Sequence, residues 1–136
     1  MNVRKMVISF VALFTFMVVS AVPAYADNYY DSKYFKTEDG KYEQTIATTS
    51  SDKNVQVYVS EIKKVKKSTG EKSDGSPSSL DVRLCNSSSG SCTSWKNLSG
   101  AAIFTDMKAG TYYVDIKDKY ASYYYYGYVG VTVFPD

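Results

Sequence analysis

The sequence predicts an all-β domain, an antiparallel β-sandwich with Greek-key or jelly-roll connections, and three observations lead there. Apolar and polar residues alternate with period two in about seven or eight short segments, most of them rich in Val, Ile, Thr and Tyr. Clusters of Gly, Ser, Asn and Asp separate those segments, as β-turns do. No segment carries apolar residues at intervals of three and four over a credible helix length. A small closed barrel is the alternative architecture, and no internal repeat is visible.

Residues 1–26 are expected to lie outside the domain. Arg4 and Lys5 make a positive start, and residues 6–22 are an apolar run broken only by Ser9, Thr15 and Ser20. Ala24 and Ala26 then put small residues where a signal peptidase reads them, so cleavage is expected before Asp27. An uncleaved membrane anchor is the other reading of such a run; Pro23 and the Ala-Tyr-Ala site favour removal. No cysteine follows the run as it would in a bacterial lipoprotein. The expected product is one secreted, extracellular domain of residues 27–136, large enough for a single small core. Two of the 16 basic residues belong to the leader, so the domain carries 14 basic against 14 acidic residues. With a net charge near zero, the slightly basic balance of the whole chain implies nothing about nucleic acid, and none is expected as a partner, while local charge clusters can still matter.

Along the domain, residues 27–40 hold Tyr29, Tyr30, Tyr34 and Phe35 among acids and lysines, without clear periodicity. They are expected as an arm that pairs along a sheet edge. Tyr42, Gln44, Ile46 and Thr48 share one face of a strand. Val55, Val57 and Val59 alternate with Gln56, Tyr58 and Ser60 in a half-buried strand running to about Val65. Residues 66–79 contain no apolar side chain except Pro77, and are expected as a mobile hairpin loop too polar to order itself by burial. Leu80, Val82 and Leu84 restart a strand, residues 93–98 with the sole Trp95 return it, and residues 101–106 form a short strand or connection.

Residues 109–134 hold eight of the 14 tyrosines, and are expected as a hairpin of two long strands joined by a Lys/Asp loop. Tyr112, Val114 and Ile116 fall on one face of the first strand, opposite Thr111, Tyr113 and Asp115. In the second strand, Val129, Val131 and Val133 lie on the face opposite Tyr124, Tyr126 and Tyr128. Gly127 and Gly130 suggest a bulge or bend within it. A lone hairpin is marginal in water, so a second sheet must cover its valine face.

The two cysteines, Cys85 and Cys92, flank a Gly/Ser turn in an exported chain and are expected to form one disulfide. The spacing is not Cys-x-x-Cys, which argues against a redox pair. A loop this short makes the bond worth roughly 2.5 kcal/mol on the chain-entropy estimate.

Histidine is absent, which removes the Ser-His-Asp and Cys-His routes and every histidine-based metal site. Serine and lysine crowd together only in residues 66–79, where a lysine stays too hydrated to act as a base. Asp106 and Asp115 are candidate carboxylates for glycoside hydrolysis, yet a chain this short leaves little material for a cleft. The chain is therefore read as not an enzyme and without a required cofactor. Calcium is the one ion considered, through Asp27, Asn28, Asp31, Glu38 and Asp39, against the simpler reading of an acidic surface.

Two surfaces stand out instead. If the valines of the last strand are core, Tyr124, Tyr126 and Tyr128 point outward as an aromatic ladder, with Tyr113 extending it from the neighbouring strand. Such a face suits sugar rings or a partner protein; the alternative is cross-strand aromatic packing that needs no ligand. Lys63, Lys64, Lys66 and Lys67, reinforced by Lys72, form a positive run suited to an anionic polymer. Lysines that blunt a sheet edge against aggregation are the other reading.

The segment Leu80, Asp81, Val82, Arg83 and Leu84, followed by Ala109 to Ile116 and the aromatic strand ending in Val129 to Val133, resembles the bacterial pre-peptidase C-terminal (PPC-like) β-sandwich family. The resemblance spans roughly residues 80–134. It implies a jelly-roll-like sandwich that accompanies secreted peptidases, some members of which bind collagen, polysaccharide or calcium. With no catalytic domain ahead of it, such a module is expected to act by binding.

The functional expectation is a secreted, non-catalytic binding or surface-associated module. Its ligand would be a polysaccharide, cell-wall polymer or extracellular protein met through the tyrosine face. The alternative is a secreted antagonist, a small toxin or hydrolase inhibitor, that presents its lysine-rich loop to a target.

Overall fold

The structure is a computed structural model and describes residues 28–136; the expected leader and its cleavage site lie outside the described residues. Nine strands run in the order β1 (Asn28–Lys36), β2 (Gln44–Thr48), β3 (Asn54–Lys66), β4 (Lys72–Asp74), β5 (Leu80–Asn86), β6 (Lys96–Asn97), β7 (Ala102–Phe104), β8 (Gly110–Asp118) and β9 (Tyr123–Phe134). They form two antiparallel sheets packed face to face. The first sheet has the order β1-β9-β3-β4, with β7 also pairing with β3, and the second has the order β2-β8-β5-β6. Each sheet keeps its own edge strands, so the domain is a sandwich and not a closed barrel.

The chain changes sheet at every connection except the β3–β4 and β5–β6 hairpins. This overturns the expected hairpin at residues 109–134. β8 pairs with β2 and β5, whereas β9 pairs with β1 and β3. Both strands turn an apolar face into the space between the sheets, and alternation is the same whether they are neighbours in one sheet or lie in opposite sheets. Val114 and Ile116 of β8 thus lie in the same core as Val129, Val131 and Val133 of β9, joined by Val55, Val57, Val82, Leu84 and Ile46. The alternation read in each strand holds, while the pairing between them does not.

The expected N-terminal arm is a full strand along the edge of the first sheet. Two contacts tie it to the second sheet: the Tyr30 hydroxyl accepts the Ala47 N–H at 3.0 Å, and the Gln44 side-chain amide donates to the Asp31 carbonyl at 3.1 Å. Residues 66–79 are not a structureless loop. They turn tightly, with Gly70 N–H bonded to the Lys66 carbonyl at 2.7 Å, then pair as β4 and close with a one-turn 3-10 helix at Pro77–Ser79. Backbone hydrogen bonding to β3 supplies the order that burial could not. The return after Cys92 is shorter than expected, two residues in β6.

β9 is continuous, but each neighbour carries one extra residue against it, between Tyr30 and Lys33 in β1 and between Ser60 and Lys63 in β3. In β3 the extra residue is accommodated by Glu61 at φ 53°. The bulge therefore sits beside Gly127 rather than in its own strand. A Cβ on Gly127 would lie 2.7 Å from Ile62 Cδ1 and 2.8 Å from the Ser60 carbonyl oxygen, so the bulge requires glycine there. At Gly130 the ring of the opposing Tyr58 occupies the space a side chain would fill.

Candidate functional site

The outer face of the first sheet carries the expected tyrosines. With Val129, Val131 and Val133 fully buried, Tyr124 and Tyr126 stand half-buried on the opposite face and Tyr128 is 41% exposed. Tyr125 points the other way and is core. Tyr113 does not extend this ladder. It belongs to β8 in the other sheet, where its ring stacks on Tyr42 with centroids 4.6 Å apart and planes 5° from parallel. The place assigned to it is taken by Tyr34 of β1, whose ring lies 6.0 Å from Tyr126 and 6.1 Å from Tyr128. Loss of water around the Tyr34 phenol, then the nearby Tyr126 and Tyr124 phenols, push its ionisation above the ordinary value. It stays a hydrogen-bond donor at neutral pH.

The bulges decide which other side chains join this face. An added residue reverses the alternation beyond it. In β3, Val55, Val57 and Val59 pair with the inward valines of β9, but after Glu61 it is Ile62 that enters the core. Lys63 then stands outward across from Tyr126, and Val65 outward across from Tyr124. In β1, Tyr30 packs against the core; beyond its bulge Phe35 does so, and Tyr34 and Lys36 turn outward. Val65 is buried although it lies outside the core cluster between the sheets, flanked in register by Tyr124 and Lys72. The outer face thus has a small apolar floor of its own.

The lysine run is divided by this geometry. Lys63 pairs with Asp74, and Lys67 with Glu38. Lys64 reaches over the Tyr123 ring, 5.0 Å from its centroid, and Lys66 lies opposite Tyr123 in register. Two lysines outside the run reach the ladder itself. Lys36 Nζ lies 4.6 Å from the centroid of Tyr124, and Lys72 Nζ lies 6.0 Å from that of Tyr126. Tyr34 and Lys36 are the residues the sequence reading missed for this face, and Lys72, read there with the positive run, belongs to it as well. The signal that marks Tyr34 and Lys36 is the Tyr34-Phe35-Lys36 alternation, hidden because the bulge before it breaks the period of β1.

On the second sheet's outer face, Trp95 is held by Arg83 at 4.4 Å and Lys117 at 4.2 Å from its ring centroid, and Arg83 Nε donates to Asp115 Oδ2 at 2.8 Å. The Cys85–Cys92 disulfide bridges residues on either side of the neighbouring turn. An open cavity of about 240 Å³ lies at the end of this sheet, lined by Glu38, Asp39, Lys41, Tyr42, Glu43 and Asp115 among others. Glu43 is only 8% exposed, and burial pushes its carboxyl up to about 8, against the lowering effect of the Ile116 N–H that it accepts. Asp118 is likewise pushed up to about 6, mainly by burial, while the Thr37 hydroxyl donates to it at 2.5 Å.

The candidate carboxylates of the sequence reading have separate partners, Asp106 pairing with Lys53 and Asp115 with Arg83. The calcium candidates are dispersed in the same way. Asn28 donates to Asp52, Glu38 pairs with Lys67, and Asp39 accepts the Lys41 N–H, while Asp27 lies outside the described residues. Among the described residues no group of three or more acidic or thiol side chains could hold a metal ion. Nor is any helix among them long and apolar enough to cross a membrane.

No family model, no curated protein and no solved structure matches the chain.

Proposed function

We propose that the protein is a secreted, non-catalytic binding module that meets an extended extracellular polymer through the outer face of its first sheet. The carrying observation is that Tyr34, Tyr124, Tyr126 and Tyr128 share this face with Lys36 and Lys72, in a patch drawn from β1, β9 and β4. Strands about 4.8 Å apart make such a patch about 14 Å wide across β1, β9, β3 and β4, flat and open, which suits a chain-like ligand better than a small molecule. The disulfide fits an oxidising compartment. The resemblance of residues 80–134 to the pre-peptidase C-terminal sandwich family points the same way, toward a module that works by binding. The test is a pull-down of cell-wall, glycan and culture-supernatant components on the protein and on its Tyr124→Ala/Tyr126→Ala/Tyr128→Ala variant. Retention by the parent and loss by the folded variant supports the reading; equal retention by both overturns it.

A further inference from the structure

We propose that the polymer is an acidic polysaccharide, its sugar rings against the tyrosines and its carboxylate or sulfate groups at the Lys36 and Lys72 ammoniums. This rests on the binding role of that face and adds the chemistry of the ligand. Lysines on and around the face use their charge in two ways. Lys63 and Lys67 are neutralised by Asp74 and Glu38. Lys36 and Lys72, by contrast, enter none of the ion pairs among the described residues. Each is placed over a tyrosine ring instead. A cation–π contact positions an ammonium without cancelling its charge, so both remain free to meet an anion.

Their placement is as informative as their charge. Lys36 enters from β1 and Lys72 from β4, on opposite sides of β9 and β3. Two positive groups therefore flank a row of half-exposed phenols over the apolar floor of Val65. A neutral glycan would use the rings and leave the ammoniums without partners. A polyol phosphate would use the ammoniums and leave the rings without partners. An acidic polysaccharide presents a C–H ring face and an anion on the same repeating unit, and it alone among the three uses both.

The test is affinity electrophoresis of the purified protein through gels holding polygalacturonate, dextran or polyphosphate. The parent is expected to be retarded by polygalacturonate well beyond dextran or polyphosphate, with retardation lost as salt rises from about 50 mM to about 500 mM. Lys36→Gln/Lys72→Gln is expected to weaken polygalacturonate binding about tenfold, the loss of two surface ion pairs. Thermal unfolding confirms that the double variant and the tyrosine triple variant are folded. Retardation by dextran equal to that by polygalacturonate, with the triple variant losing both, overturns the acidic ligand but leaves the tyrosine face standing. Polyphosphate binding as strong as polygalacturonate binding also overturns it, because charge alone then suffices. Undiminished polygalacturonate binding by both variants overturns the inference and the face together, as does a parent retarded by none of the three.

Discussion

Lys63 stands directly across from Tyr126 in the antiparallel pair of β3 and β9, although its alternation with Val55, Val57 and Val59 would turn it into the core. One extra residue at Glu61 makes the difference, and it puts Lys63 and Val65 on the same face as the tyrosine ladder. The consequences of that arrangement can be measured.

The two faces of β9 should respond oppositely to truncation. Val131→Ala is expected to cost about 1–3 kcal/mol, from lost burial and the void it leaves in the core. Tyr128→Ala opens no cavity and is expected to stay within about 1 kcal/mol of the parent. Denaturant midpoints at constant m-value report both. A Tyr128→Ala loss as large as that of Val131→Ala would show the ladder to be core.

The two glycines of β9 should differ as well. Gly127→Ala drives a methyl group into the Ser60 carbonyl and Ile62 beside the bulge, where backbone must move, and is expected to cost about 1–3 kcal/mol. Gly130→Ala meets only the far end of the Tyr58 side chain, which swings aside, so its cost is expected to be smaller. Adding Tyr58→Ala to Gly130→Ala should recover part of that loss. Equal costs at the two glycines would argue that the bulge does not press on Gly127.

Stability should fall as pH rises through the range set by Glu43. Its folded carboxyl is pushed up to about 8 from 4.5, so the folded state holds the proton more tightly than the unfolded chain. The contribution is fully present below pH 4.5 and is lost as pH rises through about 8. Asp118, raised to about 6 from 3.8, acts in the same direction at lower pH. A loss of about 2–4 kcal/mol between pH 5 and pH 8.5 is expected from Glu43. Glu43→Gln stays neutral and should flatten most of that slope in urea titrations at several pH values. A slope unchanged in Glu43→Gln would assign it to other groups.

Reduction of the disulfide should weaken the fold without abolishing it. The Cys85–Cys92 loop is short, and the hairpin is also held by Thr93 Oγ1 accepting the Leu84 N–H at 3.0 Å and by Thr93 N–H donating to the Leu84 carbonyl at 2.9 Å. Cys85→Ala/Cys92→Ala is expected to lose about 2.5 kcal/mol or less and to keep the far-UV circular dichroism of a β protein. An unfolded double variant would mean that the covalent staple, not the two packed sheets, holds the domain.

What the sequence by itself determined is which residues are inside. Period two in β8 and β9 is a property of single strands, and Val114, Ile116, Val129, Val131 and Val133 are buried as that alternation requires. The all-β class, the outward Tyr124, Tyr126 and Tyr128, and the Cys85–Cys92 bond followed from equally local signals. Tertiary structure decided what stands beside what. Whether β8 pairs with β9 or packs over it depends on which strands the rest of the chain lays beside each of them, and alternation is identical in the two cases. That choice moved Tyr113 to the other sheet, onto Tyr42, and left Tyr34 in its place beside Tyr126. The bulges were hidden for a related reason. A single added residue in β1 or β3 costs little in composition, yet it reverses every side chain after it, and only the register against β9 shows that Lys36, Lys63 and Val65 face the tyrosines.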